Sequence, residues 1–407
     1  MSNSDLIYLD HNATTPVDPR VLEAMIPFFH QRFGNPSSSH GYGQDAAGAI
    51  HGARERAAGL IRARAEEIVF TSGATESSNL AIKGAARFYG RPGGRGRHII
   101  TSLTEHPSVL QSCADLEDEG FEVTWLKPPE SGVVSAEQVA AALRPDTILL
   151  SIMWANNETG VVNEVESIAS LCRSRGVLVH TDATQYVGRR PVDVEDPGID
   201  LLSWTSHKMY GPKGIGALYV RRRRPHVHLH PLLHGGGQEQ NLRAGTLNVP
   251  GIIGFATACE LAASEGEGEA ARQEGLRGLL EQLLTETLEG VEVNGDSRRR
   301  IPNTTNLAFG GIDARELMGE LPTLALSAGS ACHSSGTTGS PILRAMGLGE
   351  ERARGSIRFS LGQSTTRPQI REAARLVAAA VSRLRLDEPA DGARRTKSGE
   401  KGASTPT

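Results

Sequence analysis

Cysteine is scarce in this chain: there are four in 407 residues, and no two form a C-x-x-C pair. That disfavours both a disulfide scaffold and a cysteine-rich structural zinc site. No apolar run approaches the ~18 residues of a membrane-spanning helix. The N-terminus lacks a basic-then-apolar targeting pattern, so a reducing, cytoplasmic setting without a membrane is expected. An excess of one charge is also missing. Lys plus Arg is 43, Asp plus Glu is 47, and the net charge is -4. Such balance implies no polyanion-binding face, and no direct nucleic-acid partner is expected. There is no G-x-x-x-x-G-K-[ST] phosphate loop and no tandem repeat of roughly 20–50 residues.

What is present is a long alternation of strands and helices. The 38% of hydrophobic residues suffices for a sizeable core, and the length suggests one large domain plus a smaller one. Leu6 to Leu9 reads as a strand, and Asp18 as the N-cap of a helix with Pro19 at its first position. Further strands are expected at 67–70, 98–101, 122–126, 147–153, 177–180, 201–204 and 215–220. Helices are expected after Glu76 through Ile82, at 107–119 and 135–143, and from an Asn163/Glu166 capping box to about Gly176. The order predicts an α/β fold with a mostly parallel central sheet flanked by helices. A helical stretch at 262–290 leads into shorter strands (303–309, 356–361) and helices (313–320, 368–385), a smaller α/β C-terminal domain. The expected boundaries are 1–15, 16–260, 261–386 and a polar, disordered tail at 387–407.

In parallel sheets, ligands gather beyond the carboxyl ends of the strands, and the chemistry-bearing residues of this chain fall there. Thr71-Ser72-Gly73-Ala74-Thr75 sits between a strand and a helix. It suits either an anion cradle or a tight turn with a cap, and it is not a G-x-G-x-x-G. His106 follows the strand at 98–101. It can act in acid–base chemistry, lie flat against a ring, or be a hydrogen-bonded loop histidine. Asn156 and Asn157 follow the strand at 147–153, where amides orient polar groups or simply make a turn. Asp182, with Gln185 three residues on, and Lys208 follow two more strands. They can be a carboxylate and a Schiff-base amine of one site, or a structural ion pair. One cofactor employs all these groups together: pyridoxal phosphate needs an anion cradle, an amine for its aldehyde and a carboxylate at its pyridine nitrogen. His226, His228 and His230 alternate; on a strand they would share a face. A solvent-facing edge beside Arg221 to Arg224 is the simpler reading than a metal site, and no metal is expected.

The chain resembles the cysteine desulfurases of the class V aminotransferase group, enzymes of pyridoxal-phosphate fold type I. The resemblance is carried, in order, by Tyr8–Pro16, Phe33–Ser38, Phe70–Ser77, Thr104–His106, Asn156–Gly160, His180–Gln185, Ser206–Gly214, Gly235–Gln240, Arg243–Thr246, Gly329–Cys332 and Ser356–Gly362. It implies that Lys208 holds the cofactor aldehyde, Asp182 its ring nitrogen and Gln185 its phenolic oxygen. By the same resemblance His106 lies on the ring and assists proton transfer, and Asn157 contacts cofactor and substrate. Ala74, Thr75, Ser206 and His207 match the phosphate cradle, completed by Thr246 from the other subunit of a homodimer. Arg358 matches the clamp for the substrate carboxylate, and Cys332 the nucleophile. Residues 1–15 are expected to pack with the small domain, which carries the cysteine loop.

The long, polar stretch Ser327–Pro341 around Cys332 resembles the subgroup whose longer mobile loop feeds acceptor proteins directly. The implied reaction takes sulfur from L-cysteine, leaves L-alanine, and passes the persulfide to an iron–sulfur scaffold or a tRNA-thiolating enzyme. Cys113, Cys172 and Cys259 read as inert thiols. The chain departs from the group at Gln363, where arginine is usual, and at Thr205, where serine is commoner. Two alternatives are a selenocysteine lyase or other class V aminotransferase, and a non-enzymatic assembly factor. Retention of both Lys208 and Asp182 argues against the second.

Overall fold

Six short runs of β-formers are buried at every residue, as strands covered on both faces must be. The computed structural model describes residues 6–329 and 339–387. Cys332 and the expected tail beyond Asp387 lie outside the described residues. The strands are β1 (Ile7–Tyr8), β2 (Ile68–Thr71), β3 (His98–Ser102), β4 (Glu122–Leu126), β5 (Thr147–Ser151), β6 (Leu178–Asp182), β7 (Leu201–Thr205), β8 (Gly216–Val220), β9 (Val291–Val293), β10 (Thr304–Phe309), β11 (Leu324–Ala325) and β12 (Ser356–Ser360). Seven of them form one sheet in the order β2-β8-β7-β6-β5-β3-β4. It is parallel except for β8, which runs antiparallel to both β2 and β7. The sheet is mostly parallel, as expected, with a single reversed strand that makes it mixed. The carboxyl ends of β2, β3, β5, β6 and β7 share one rim.

The edge strand β2 is blocked by side chains. Arg54 donates to the Ile68 carbonyl, and the Glu239 carboxylate accepts the Phe70 N–H at 2.7 Å. Arg54 and Glu239 also pair with each other. This satisfies backbone groups that an open edge would leave bare. Glu239, Gln240 and Asn241 all have positive φ (44°, 60° and 66°), so this ion pair also fixes a left-handed turn.

The N-terminal reading holds at residue level: helix Pro19–Met25 is capped by Asp18, whose side chain accepts the Arg20 N–H at 2.8 Å. The Asn163/Glu166 capping box does not form. Helix Val165–Ser174 starts after Glu164 with no side-chain cap. The buried Asn163 instead accepts from the Val134 N–H and donates to the Met153 carbonyl, both at 2.8 Å. A buried amide goes where it can satisfy both its donor and its acceptor, and two loops offer that where a helix end does not.

The helix expected from 262 begins at Val249 and runs unbroken to Thr287, 39 residues. Its first part is buried nearly all round, at Ile252, Ile253, Phe255, Ala256 and Cys259, so it shows no helical period. Its second part presents Leu276, Leu280 and Leu284 to a second core, built on the antiparallel sheet β12-β10-β9 and helix Arg367–Asp387. That is the smaller C-terminal α/β unit. The N-terminal strand docks here: β1 pairs in parallel with β11, and Asp10 bridges to Ser360.

Residues 226–230 form no strand, correcting the edge-strand reading. They lie extended on helix Ala74–Tyr89. The His230 N–H meets the Gly84 carbonyl, and the His228 ring stacks on Phe88 with centroids 5.0 Å apart. Among the described residues no three His, Cys, Asp or Glu side chains are grouped to hold a metal ion, and no helix is long and apolar enough to cross a membrane.

Candidate active site

A cavity of about 550 Å³ opens at the shared strand rim. Ser72 to Thr75 enter it after β2, His106 after β3, Met153 and Asn157 after β5, and Asp182 and Gln185 at the end of β6. Thr205, His207 and Lys208 come from the end of β7, Asn12 and Ala13 from the N-terminal segment, and Arg358 from β12. Most of the sequence-derived site residues thus meet in one place. Two do not line it. Ser206 is fully buried behind the wall, its hydroxyl without a partner, and Thr246 lies on the exposed surface.

Each position has a local cause. Helix Ala74–Tyr89 starts after Gly73 with no side-chain cap, so its first-turn N–H groups stand at the cavity wall. Close approach of the loop at Gly73 to the start of β8 demands glycine there: a Cβ on Gly216 would lie 2.7 Å from Gly73 Cα. Glu76 accepts the Ser72 N–H at 2.8 Å and an Arg243 N–H at 3.0 Å, which holds the loop's approach. His106 is itself an N-cap. Its Nδ1 accepts the Ser108 N–H at 3.2 Å and lies 2.8 Å from Ser108 Oγ. The neutral ring then carries its proton on Nε2. Burial pulls its pKa down, opposed by the Asp182 charge.

Lys208 ends a short turn, Ser206–Lys208, directly after β7. Its Nζ donates to the Asn12 carbonyl and, at 2.7 Å, to the Ala13 carbonyl. Burial, followed by the Arg358 and Arg189 charges, lowers its pKa to about 7. Such an amine is largely unprotonated just above neutrality, the state a carbonyl-capturing lysine requires. Asp182 is buried and accepts the Thr184 N–H at 2.9 Å. Gln185 donates to the Asn12 carbonyl at 3.1 Å.

Three buried acceptors around the cavity have no partner: Asn157 Oδ1, Thr184 Oγ1 and Gln185 Oε1. Orphaned polar atoms at a cavity wall mark a polar occupant. The set fits pyridoxal phosphate: helix N–H groups for an anion, a depressed-pKa lysine for an aldehyde, a buried carboxylate for a ring nitrogen, and an imidazole beside them.

Sequence reasoning missed several contributors. Asn12 and Ala13 act through backbone carbonyls, which no residue pattern announces. Glu105 is fully buried, accepting the Met153 N–H at 2.6 Å, and burial pushes its carboxyl well above the usual range. Glu158, also fully buried, accepts from Ser340 Oγ, and a Cβ on Gly329 would lie 3.4 Å from its Oε2. It thus touches both described flanks of 330–338. Asp10 pairs with Arg358.

The class-V aminotransferase family model matches residues 7–372. A cysteine desulfurase IscS of Anaeromyxobacter sp. (strain Fw109-5) is 50% identical over 384 residues, 94% of each chain. Among solved structures, a NifS-like protein superposes with a TM-score of 0.85 at 36% identity, covering 93% of this chain and 99% of the other. A structure of SspA in complex with cysteine superposes with a TM-score of 0.77 at 41% identity, covering 87% and 98%.

Proposed function

The chain belongs to the class-V aminotransferase family, and on that premise we infer that it is a pyridoxal-phosphate-dependent cysteine desulfurase. It converts L-cysteine to L-alanine and carries the sulfur away as a protein persulfide. The observation that carries the reading is one cavity holding both Lys208, its pKa near 7, and the buried Asp182.

When bound, pyridoxal phosphate supplies an electron sink for charge developing at the substrate Cα. The chain's residues do the rest. The first-turn N–H groups at Ala74 and Thr75, with His207, would bind the phosphate, with Ser206 buried behind that wall; Thr246 of a second copy would complete the cradle in a homodimer. Asp182 would keep a proton on the ring nitrogen, and Gln185 would serve the phenolic oxygen. Lys208 would hold the aldehyde, and its free amine would take the proton from the substrate Cα. His106 would lie against the ring and move protons through Nε2. Arg358 and Asn157 orient the substrate, the guanidinium taking the carboxylate. Cys332 thiolate attacks the substrate sulfur. The substrate C–S bond breaks and an S–S bond forms. Thiol plus cysteine gives persulfide plus alanine, so the balance needs no outside oxidant or reductant.

The acceptor is a protein, an iron–sulfur scaffold or a tRNA-thiolating enzyme, served by the long segment around Cys332. A cytoplasmic setting accords with Cys113, Cys172 and Cys259, which are all unpaired and buried.

The test incubates the protein with L-cysteine and pyridoxal phosphate, then measures alanine and intact mass. One added sulfur on Cys332, with alanine in solution, is expected. Cys332→Ala should keep the yellow chromophore and gain no sulfur; Lys208→Ala should lose both. Persulfide on the Cys332→Ala protein rejects that nucleophile. Selenide release or amino-group exchange without persulfide points instead to a selenocysteine lyase or an aminotransferase.

A further inference from the structure

Arg358 is almost wholly buried, its side chain 3% exposed, yet it reaches the cavity wall. Its Nη2 donates to Asp10 Oδ1 at 2.6 Å and its Nη1 to the Asn157 carbonyl at 3.0 Å. Its Nε is buried with no partner. Asp10 is the one carboxylate that ion-pairs with it among the described residues.

Asp10 does not line the cavity, so it stands behind the guanidinium rather than in the substrate's path. Its place is over-determined by backbone contacts. Ser360 N–H donates to the Leu9 carbonyl at 2.8 Å, His11 N–H to the Ser360 carbonyl at 3.1 Å, and Asn12 N–H to Ser360 Oγ at 2.9 Å. The Tyr8 hydroxyl lies 3.1 Å from the Asp10 carbonyl and 3.0 Å from that of Thr14. Ser360 is two residues beyond Arg358 on β12. The N-terminal segment is thus pinned to the strand that carries the clamp, and delivers one negative charge to its rear.

We propose that Asp10 sets the affinity of the Arg358 clamp: it neutralises the guanidinium from behind, so that the substrate and product carboxylates are held loosely and alanine can leave. This rests on the reading of Arg358 as the carboxylate clamp. A cation already balanced by a fixed carboxylate attracts a second carboxylate less than a bare one does, while its unused N–H groups still orient the newcomer. Nη1 and Nη2 each carry a second N–H besides the one given to Asn157 or Asp10, and these supply such donors. Asp10 is therefore a positioning and specificity-determining residue.

The test titrates the holoenzyme with L-alanine and with ethylamine, which lacks the carboxylate, following the chromophore. Asp10→Asn is expected to tighten L-alanine binding by roughly tenfold, the scale on which a neighbouring charge moves an ionic equilibrium. Ethylamine binding should stay within about twofold, since it never meets the clamp. Asp10→Glu, which keeps the charge, should stay near wild type; Asp10→Ser replaces Asp10→Asn if that variant fails to fold. Unchanged or weaker alanine binding in the neutral variant overturns the proposal, as does equal tightening by Asp10→Glu. If the wild type binds both ligands alike, the clamp reading itself fails and takes the proposal with it.

Discussion

Capture of pyridoxal phosphate by the apoprotein should follow the titration of Lys208. An ordinary lysine, at 10.5, is about 0.03% unprotonated at pH 7, whereas one at about 7 is roughly half so, a gain on the order of 10³ in reactive amine. Only the neutral amine has the lone pair that attacks the aldehyde. The rate of chromophore formation should therefore rise about tenfold per pH unit below 7 and level off above it. Stopped-flow mixing of apoprotein with cofactor across pH 5.5 to 9 measures this. Arg358→Gln removes the largest charged contributor to the depression, so its midpoint should move up. Asp10→Asn removes a charge that favours the ammonium, so its midpoint should move down. The same shift bears on stability with a definite sign. The folded state disfavours the proton, so the cost is fully present below pH 7 and fades as pH rises towards 10.5. At pH 6 Lys208→Met should stabilise the apoprotein by up to about 5 kcal/mol, a gap closing in alkaline solution. A capture rate still climbing tenfold per unit at pH 9 refutes the buried-amine reasoning.

Glu239→Ala leaves Arg54 without its buried partner and bares the Phe70 N–H; it should cost about 3–5 kcal/mol in denaturant unfolding. A loss under about 1 kcal/mol means that the left-handed turn is held by other contacts. Gly216→Ala places a Cβ against Gly73 Cα and the Trp204 carbonyl, and backbone cannot yield cheaply. It should weaken cofactor retention on dialysis by at least about tenfold, roughly 1.4 kcal/mol, because the displaced loop is the anion cradle. Undiminished retention would detach that loop from phosphate binding.

The site was legible because its chemistry sits at strand ends, where apolar runs stop and polar residues begin. Lys208, Asp182 and His106 each follow such a run, and all three reach one cavity. Asp10 also follows an apolar run, Leu6 to Leu9, but nothing in the pattern names its partner. Its partner is 348 residues away, and only the pairing of the N-terminal segment with β12 brings them together. Asn163 matched a helix-start pattern, yet tertiary partners claimed its side chain. The start of the 39-residue helix was hidden for the opposite reason: full burial erases the amphipathic period that marks a helix. The reversal of β8 is a matter of topology, which the burial pattern of a strand does not encode.

That helix has a mechanical meaning. At 1.5 Å per residue it is a rod of about 58 Å, with one end embedded beside the lysine's sheet and the other beneath the arginine's. Enzymes that clasp their substrate between two lobes often swing them on a flexible loop; here a continuous girder joins the lobes. Bending must be spread along its turns, with Gly266 and Gly268, the softest residues near its middle, taking the largest share. Relative motion of the two lobes therefore has to bend this helix, since no loop hinge interrupts it.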